Sequence, residues 1–258
     1  RTTRKLNLTE VGREYFEQAE AGVSLLQGAA EQAAQAQHAP RGTLRLTAPS
    51  DIACRVLAQA IAEYQAECPD VRVETQLTNR YVDLITEGFD LAIRGGHLKD
   101  SGLVAKRLGS GHMILVASPE YVKRTKAANT LKTPAELSRH RCIRFLSGDR
   151  ADPDPVWRLR SHDGRTVRVR LPSQVAADSF AMVIDLARIG QGVALVPETL
   201  VRETLQRHEL VRLLPDWATA EAPVHLVYPA QRQALPKVRA MLPLLEKHFV
   251  RLFAGERI

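Results

Sequence analysis

Ser50 stands where an alternating apolar strand turns into a helix, and no other turn in the chain is better placed to do chemistry. In the stretch 42–51 (GTLRLTAPSD), Leu44, Leu46 and Ala48 alternate with Thr43, Arg45 and Thr47. Pro49 then breaks the alternation, and Ser50 is placed to accept from the first free amides of the helix that follows. A helix start presents unpaired N–H groups and about half a positive charge, so this turn can hold a carboxylate or phosphate with backbone and hydroxyl alone. The plainer reading is that Ser50 only caps its helix. A second start of the same kind, at Asp178 or Ser179, opens the apolar run FAMVIDLARI. Arg94, at the end of the strand FDLAIR, adds a cation able to form a charge-assisted pair.

The residues of bond-making chemistry are not arranged to act together. His97, His112, His140, His162, His208 and His225 are scattered, with no HExxH or CxxC partner. Gly190 and Gly192 lack the rest of a dinucleotide fingerprint, no GxSxG is present, and Ser50 has no recognisable base. Each histidine reads as a surface or internally satisfied residue. Cys54, Cys68 and Cys142 are an odd number without metal spacing, which points to buried thiols in a reducing cytoplasm. The expectation is a binding protein, not an enzyme, with no metal and no cofactor.

Composition sets the frame for those residues. With 258 residues, 45% hydrophobic and 25% charged, the chain can bury one large core or two modest ones. No apolar run approaches the roughly 18 residues of a membrane span, and no signal peptide is visible. The net charge of +7 is spread over the later chain: residues 42–118 carry 8 basic against 9 acidic groups, and residues 119–217 carry 17 against 12. That distribution describes a solvated basic surface more than a groove-reading stripe, although Arg1, Arg4 and Lys5 form a small basic cluster at the start.

The elements that must position these residues follow in order. Residues 1–8 (RTTRKLNL) alternate enough for a strand or hairpin arm, or else form a frayed terminus. Thr9 caps a helix with no proline until Pro40, about 30 residues on, which is long for a globular helix. Along it Tyr15, Ala19, Gly22, Leu26, Ala29, Ala33 and Ala36 step alternately by four and three, a heptad seam. Because most of that seam is Ala or Gly, a second helix should approach closely, most simply the same helix of another subunit; the alternative is packing against its own domain.

Beyond the linker at 38–42, a helix over 50–67 should bury Ile52, Val56, Leu57, Ala60, Ile61 and Tyr64, and Val71 to Leu77 should form a strand. A short helix is expected over 80–87, closed by Gly88, then the strand FDLAIR and a strand over 112–117. This order argues for a parallel-rich open sheet. A second unit then follows Pro119. It has a capping box at Thr133 and Glu136, a strand over 141–146, a hairpin about the turn HDG, the helix opened near Ser179, and the buried strand 193–196. After a break at Pro215, Asp216 and Trp217, the strand 224–228 and helix 236–253 should return to the first unit. Two crossings, near Ser118 and Glu221, would then form a hinge.

These segments together resemble a known family. RTTRKLNLTEVGREYFEQA is similar to the wing and linker-helix start of LysR-type transcriptional regulators, and GTLRLTAPSD, DLITEGFDLAIRGG, LVASPEY, ARIGQGVALVP and LVRLLPDW follow that family's sensor domain in order and spacing. The resemblance implies an α/β fold of the periplasmic-binding-protein type II kind: two Rossmann-like lobes joined by a two-stranded hinge and preceded by a long N-terminal linker helix. Its divisions would be a wing remnant at 1–8, a linker and dimerisation helix at 9–41, lobe I at 42–118 plus 222–258, and lobe II at 119–221.

The resemblance also implies a function. The expected protein is a cytoplasmic DNA-binding regulator, a homodimer or homotetramer without membrane partners. This chain would be its effector-sensing and oligomerisation part, and the helix-turn-helix expected upstream of Arg1 is absent from it. Arg1, Arg4 and Lys5 would be what remains of the DNA contact, and promoter DNA would be met through the N-terminal domain. The alternative is a periplasmic solute-binding protein of a transporter. The effector would sit against Pro49, Ser50 and Asp51, Thr78 and Asn79, Arg94 and Gly95, and, from lobe II, Phe145, Asp178, Ser179 and Phe180. Two helix starts would then face one cleft, favouring a small carboxylate with an aromatic or apolar body. In the competing arrangement Arg94 pairs internally with Asp90, Asp51 or Asp100.

Overall fold

The computed structural model of this chain describes residues 9–33, 39–80, 82–96, 98, 102–146, 156–171 and 175–254. Helix α1 (Glu10–Ala33) leads, its first turn tied by the Thr9 hydroxyl accepting from the Gly12 amide at 3.1 Å. Then come β1 (Gly42–Ala48), α2 (Ser50–Glu67), β2 (Val71–Leu77), β3 (Leu91–Gly95), β4 (Val104–Gly111), β5 (Met113–Ala117), α3 (Pro119–Thr125) and α4 (Ala127–Thr130). The chain continues through a 3-10 turn at Pro134–Arg139, β6 (Cys142–Phe145), β7 (Val156–Ser161), β8 (Thr166–Arg170), β9 (Val175–Ala177), α5 (Phe180–Arg188), β10 (Val193–Pro197) and α6 (Glu198–Gln206). It ends with β11 (Val211–Ala218), β12 (Ala222–Tyr228), a 3-10 turn at Ala230–Ala234, and α7 (Pro236–Ala254).

The strands form two sheets. The first runs β2-β1-β3-β12-β4, with β1 parallel to β2 and β3 while β12 runs antiparallel to both its neighbours. The second runs β8-β7-β11-β5-β10-β6-β9, parallel only where β6 meets β10 and β9. The returning strand and helix do join the first sheet, because their apolar faces complete its core. Val238, Met241, Leu245 and Phe249 of α7 pack with Val56, Leu57, Ala60 and Tyr64 of α2 over Leu44, Leu46, Leu91 and Leu226. Ile61 is half-buried there, and the side chain of Ile52 lies outside the described residues.

Three expectations need correction. The strand expected at 112–117 was assigned to the first lobe, yet β5 lies at the centre of the second sheet, so the first passage falls at His112 and not near Ser118. The reason is apolar demand on both faces of β5. Ile114 and Val116 pack with Phe180, Val183 and Ala187, while Leu115 and Ala117 pack with Tyr121, Trp157 and Leu159. Only a strand between two apolar layers satisfies that, and β4, which the sequence analysis left unassigned, takes the place in the first sheet.

The helix expected over 80–87 is also not formed. The Asp83 carboxylate accepts from the Ile85 amide at 3.0 Å and the Thr86 amide at 3.3 Å, and the Thr86 hydroxyl donates to it at 3.1 Å. Such a side-chain turn competes with helix for the same amides. The break expected at Pro215–Trp217 is instead a bulge within β11. Leu213 pairs with Leu115 and Ala218 with Ile114, so the residues between them bow out, helped by the left-handed Leu214.

Elsewhere the local chemistry explains the elements directly. The Glu136 carboxylate accepts from the Thr133 amide at 2.8 Å in the expected capping box, which closes a 3-10 turn. Gly190 ends α5 in the left-handed conformation, and a Cβ on Gly192 would stand 2.5 Å from the Arg141 carbonyl oxygen. Both glycines therefore serve the backbone.

The two passages between sheets lie side by side. The Met113 amide donates to the Thr219 hydroxyl at 2.9 Å, the Thr219 amide donates to the Met113 carbonyl at 3.0 Å, and the Ser110 hydroxyl donates to Glu221 at 2.8 Å.

Candidate functional site

Between the two sheets lies a cavity of about 330 Å³ with walls from both. From the first sheet it takes Pro49, Thr78, Asn79, Arg94 and Gly95; from the second, Phe145 and Phe180; from the paired passages, His112, Met113 and Thr219. Phe145 and Phe180 stack face to face, centroids 3.8 Å apart and planes 4° from parallel. They present a flat apolar wall. A smaller cavity of about 260 Å³ adjoins it, lined by Ser50, Asp178 and Ser179 and sharing Thr78 and Asn79. Of the eleven residues picked from the sequence, ten line one cavity or both, and Asp51 lies between the lobes.

Asp51 is where the geometry departs most from expectation. Ser50 is the first residue of α2, behind a Pro49 cap that offers no side-chain bond. The Ser50 hydroxyl is turned toward Asp51 at 3.3 Å and accepts from the Asn79 amide at 3.3 Å, so it is not the simple cap of the plainer reading. The Asp51 carboxylate reaches across to the start of α5, accepting from the Ser179 hydroxyl at 3.0 Å, the Phe180 amide at 2.8 Å and the Ala181 amide at 3.0 Å. Ser179 caps that helix as expected. Hydrogen bonds to a charged acceptor contribute about 1.5–3 kcal/mol each, and these, two partly buried and the Ala181 one exposed, belong at or below the low end. The α5 start was expected to await an anion from outside. It already holds one from the facing lobe, and the Asn79 side-chain amide donates to the Asp178 carbonyl at 2.7 Å beside it.

Arg94 lies at the edge of the cavity on β3, donating to the Thr47 hydroxyl and its neighbour's carbonyl, both at 3.3 Å. Two of the acids proposed as its internal partners are occupied. Asp90 is buried against Arg232 at 3.3 Å and Lys237 at 3.2 Å, and Asp51 faces α5. Asp100 lies outside the described residues. A larger recess of about 620 Å³ between α1 and the first sheet is lined by Arg45, Asp90, Arg232 and Lys237. Arg232 and Lys237 pair with Asp90, Arg45 pairs with Glu74 at 3.6 Å, and the Lys237 ammonium also donates to the Thr43 carbonyl at 2.7 Å, which marks a structural joint.

His112, Thr219 and Phe253 also line the cavity, outside the residues expected there. His112 approaches Glu198 at 3.2 Å, and the Phe253 ring comes to the cavity from the end of α7. A signal for Phe253 was present: Gly109 and Gly111 alternate on β4, and a Cβ on Gly109 would run into the Phe253 ring. Glycines two apart on a strand leave one face bare for a bulky neighbour. Of the other histidines, His162 and His208 are exposed. His140 is buried with Nδ1 at 3.2 Å from the Tyr121 hydroxyl, and burial pushes its pKa down. Burial likewise pushes the Cys142 thiol up to about 12. No group of three or more metal-ligating side chains is found among the described residues.

Of the expected helix seam, Tyr15 is exposed and Ala19 and Gly22 are half-buried. The side chains of Leu26, Ala29 and Ala33, and all of Ala36, lie outside the described residues, as do Arg1, Arg4 and Lys5.

The chain matches the family described as the LysR substrate binding domain over residues 37–250. It is 31% identical over 252 residues to PtxR, an HTH-type transcriptional regulator of Pseudomonas aeruginosa, covering 97% of this chain and 78% of PtxR. Among solved structures, the LysR-type regulator CrgA of Neisseria meningitidis aligns with a TM-score of 0.70 at 26% identity, covering 96% of this chain and 82% of CrgA. AphB of Vibrio cholerae, a virulence activator, aligns with a TM-score of 0.70 at 25% identity, covering 96% of this chain and 82% of AphB. These relatives are transcriptional regulators, which leaves the transporter alternative without support. Two lobes of periplasmic-binding-protein type II kind around an interlobe cavity, behind a long helix, agree with what those matches give: the chain belongs to the LysR-type transcriptional regulators and carries their effector-binding domain.

Proposed function

We propose that this chain senses a small effector in the cavity between its lobes and passes the outcome, through α1 and a subunit partner, to promoter DNA in the cytoplasm. The observation that carries the reading is the cavity itself, whose walls come from both lobes and from the two passages that join them. A guest there touches both lobes at once, so its affinity depends on how they are arranged, and any such preference shifts the arrangement. A tenfold preference is worth about 1.4 kcal/mol.

The lining narrows the guest. A flat apolar or aromatic body fits beside Phe145 and Phe180, and one anionic end fits at Arg94. Two carboxylates spanning both helix starts do not fit, since Asp51 fills the second.

Native mass spectrometry of the protein taken straight from its cells identifies the guest, and calorimetric titration of that compound into Arg94→Ala and Phe145→Ala checks the site. Each variant should bind at least tenfold more weakly than the parent. Unchanged affinity in both places the guest elsewhere.

A further inference from the structure

We propose that Asp51 sets the effector specificity of the cleft by occupying, as a built-in carboxylate, the anion position at the start of α5, so that the lobes close without a ligand there and a second carboxylate on an effector is refused. The inference rests on the reading of the cleft as the effector site, but its test does not.

The geometry is that of a bound anion. Both carboxylate oxygens are used: Oδ1 accepts from the Ser179 hydroxyl and the Ala181 amide, each at 3.0 Å, and Oδ2 accepts from the Phe180 amide at 2.8 Å. Those amides belong to the first turn of a helix, where backbone donors have no partner within the helix and the dipole favours negative charge. The group that fills them is 129 residues away in sequence and belongs to the opposite lobe. Asp51 therefore does two things with one side chain. It links α2 to α5 across the cleft, and it neutralises the α5 start that would otherwise draw a free anion.

The neighbouring contacts hold the carboxylate in place. The Ser50 hydroxyl is 3.3 Å from Asp51, and Asn79 donates both to Ser50 at 3.3 Å and to the Asp178 carbonyl at 2.7 Å. Ser50, Asp51 and Asn79 on one lobe thus meet Asp178, Ser179 and Phe180 on the other, beside the smaller cavity. An incoming carboxylate at the α5 start must expel Asp51 and share the gap with its charge, at a separation where like charges repel. A monoanionic or neutral effector avoids that cost by lying in the larger cavity.

Hydrogen exchange of the Phe180 and Ala181 amides, with sodium formate as probe and sodium chloride of equal ionic strength as control, tests this without knowledge of the effector. In the parent, both amides should exchange slowly and formate should change nothing. In Asp51→Ala they should exchange at least tenfold faster, and formate at tens of millimolar should restore most of the protection, as a replacement carboxylate in the vacated position. If Asp51→Ala does not fold, Asp51→Asn, which keeps the shape and loses the charge, should show partial loss of protection and no formate response. Amides equally protected in parent and Asp51→Ala, or formate protecting the parent as well as the variant, overturns the proposal. Either result leaves the cleft assignment at Arg94 and Phe145 standing.

Discussion

The half-buried Phe145 and the buried Phe180 hold together by the apolar area they hide from water, since two ring faces stacked this squarely gain little from their quadrupoles. The pair belongs to two elements of the second lobe, β6 and α5, and forms a firm wall opposite Arg94. Phe253 completes the chamber from the first lobe, and it can do so only because Gly109 has no side chain. Gly109→Ala should therefore push the ring out of place and cost about 1–3 kcal/mol of overpacking strain. A melting temperature several degrees below the parent checks the strain, and weaker effector binding checks the wall. A parent-like melting temperature shows that the ring gives way freely.

At the level of elements, much of the proposed site was legible because strand ends and helix starts announce themselves. GTLRLTAPSD places Ser50 and Asp51 at a strand-to-helix turn, and the apolar run FAMVIDLARI places a helix start at Ser179. What the residues cannot announce is which lobe owns a strand. MILVA reads equally well as the last strand of one unit or the middle strand of the next, and the choice is made by apolar partners far away in sequence, Trp157 on one face and Phe180 on the other. The same limit hid the partnership of Asp51 with α5, since a carboxylate beside a serine reads as local chemistry until the opposite lobe is in view.

The long helix is the other element with an argument of its own. Val11, Tyr15, Phe16, Val23 and Leu25 stay exposed on α1, with Val11 and Tyr15 each at 76%. Large apolar side chains left open on a helix suit the partner helix proposed above, although only Tyr15 of them lies on the expected heptad seam. Tyr15→Glu combined with Leu25→Glu should shift the protein toward monomer in sedimentation velocity while both lobes keep their fold. A parent-like distribution removes α1 from the subunit contact.

For the whole molecule, the proposed mechanism turns on the relation between closure and guest. The lobes are linked on one side by paired passages at Met113 and Thr219, and on the opening side by Asp51 and Asn79, with the interlobe cavity between. Arg202 of α6 adds a further tie, donating to the Leu252 carbonyl of α7 at 3.0 Å. On the reading proposed above, a guest in that space acts on the angle between lobes, and a change of angle moves whatever surface each lobe offers to a subunit partner. An effector that preferred one arrangement tenfold would shift a balanced equilibrium and leave a strongly biased one almost untouched.

The most direct measurement is a crystal structure of the protein with its co-purified effector. The new density should lie between the stacked phenylalanine pair and Arg94, with Asp51 still against the first turn of α5. Density in the recess beside Asp90 and Lys237, or on the surface of either lobe with the interlobe chamber empty, contradicts the account.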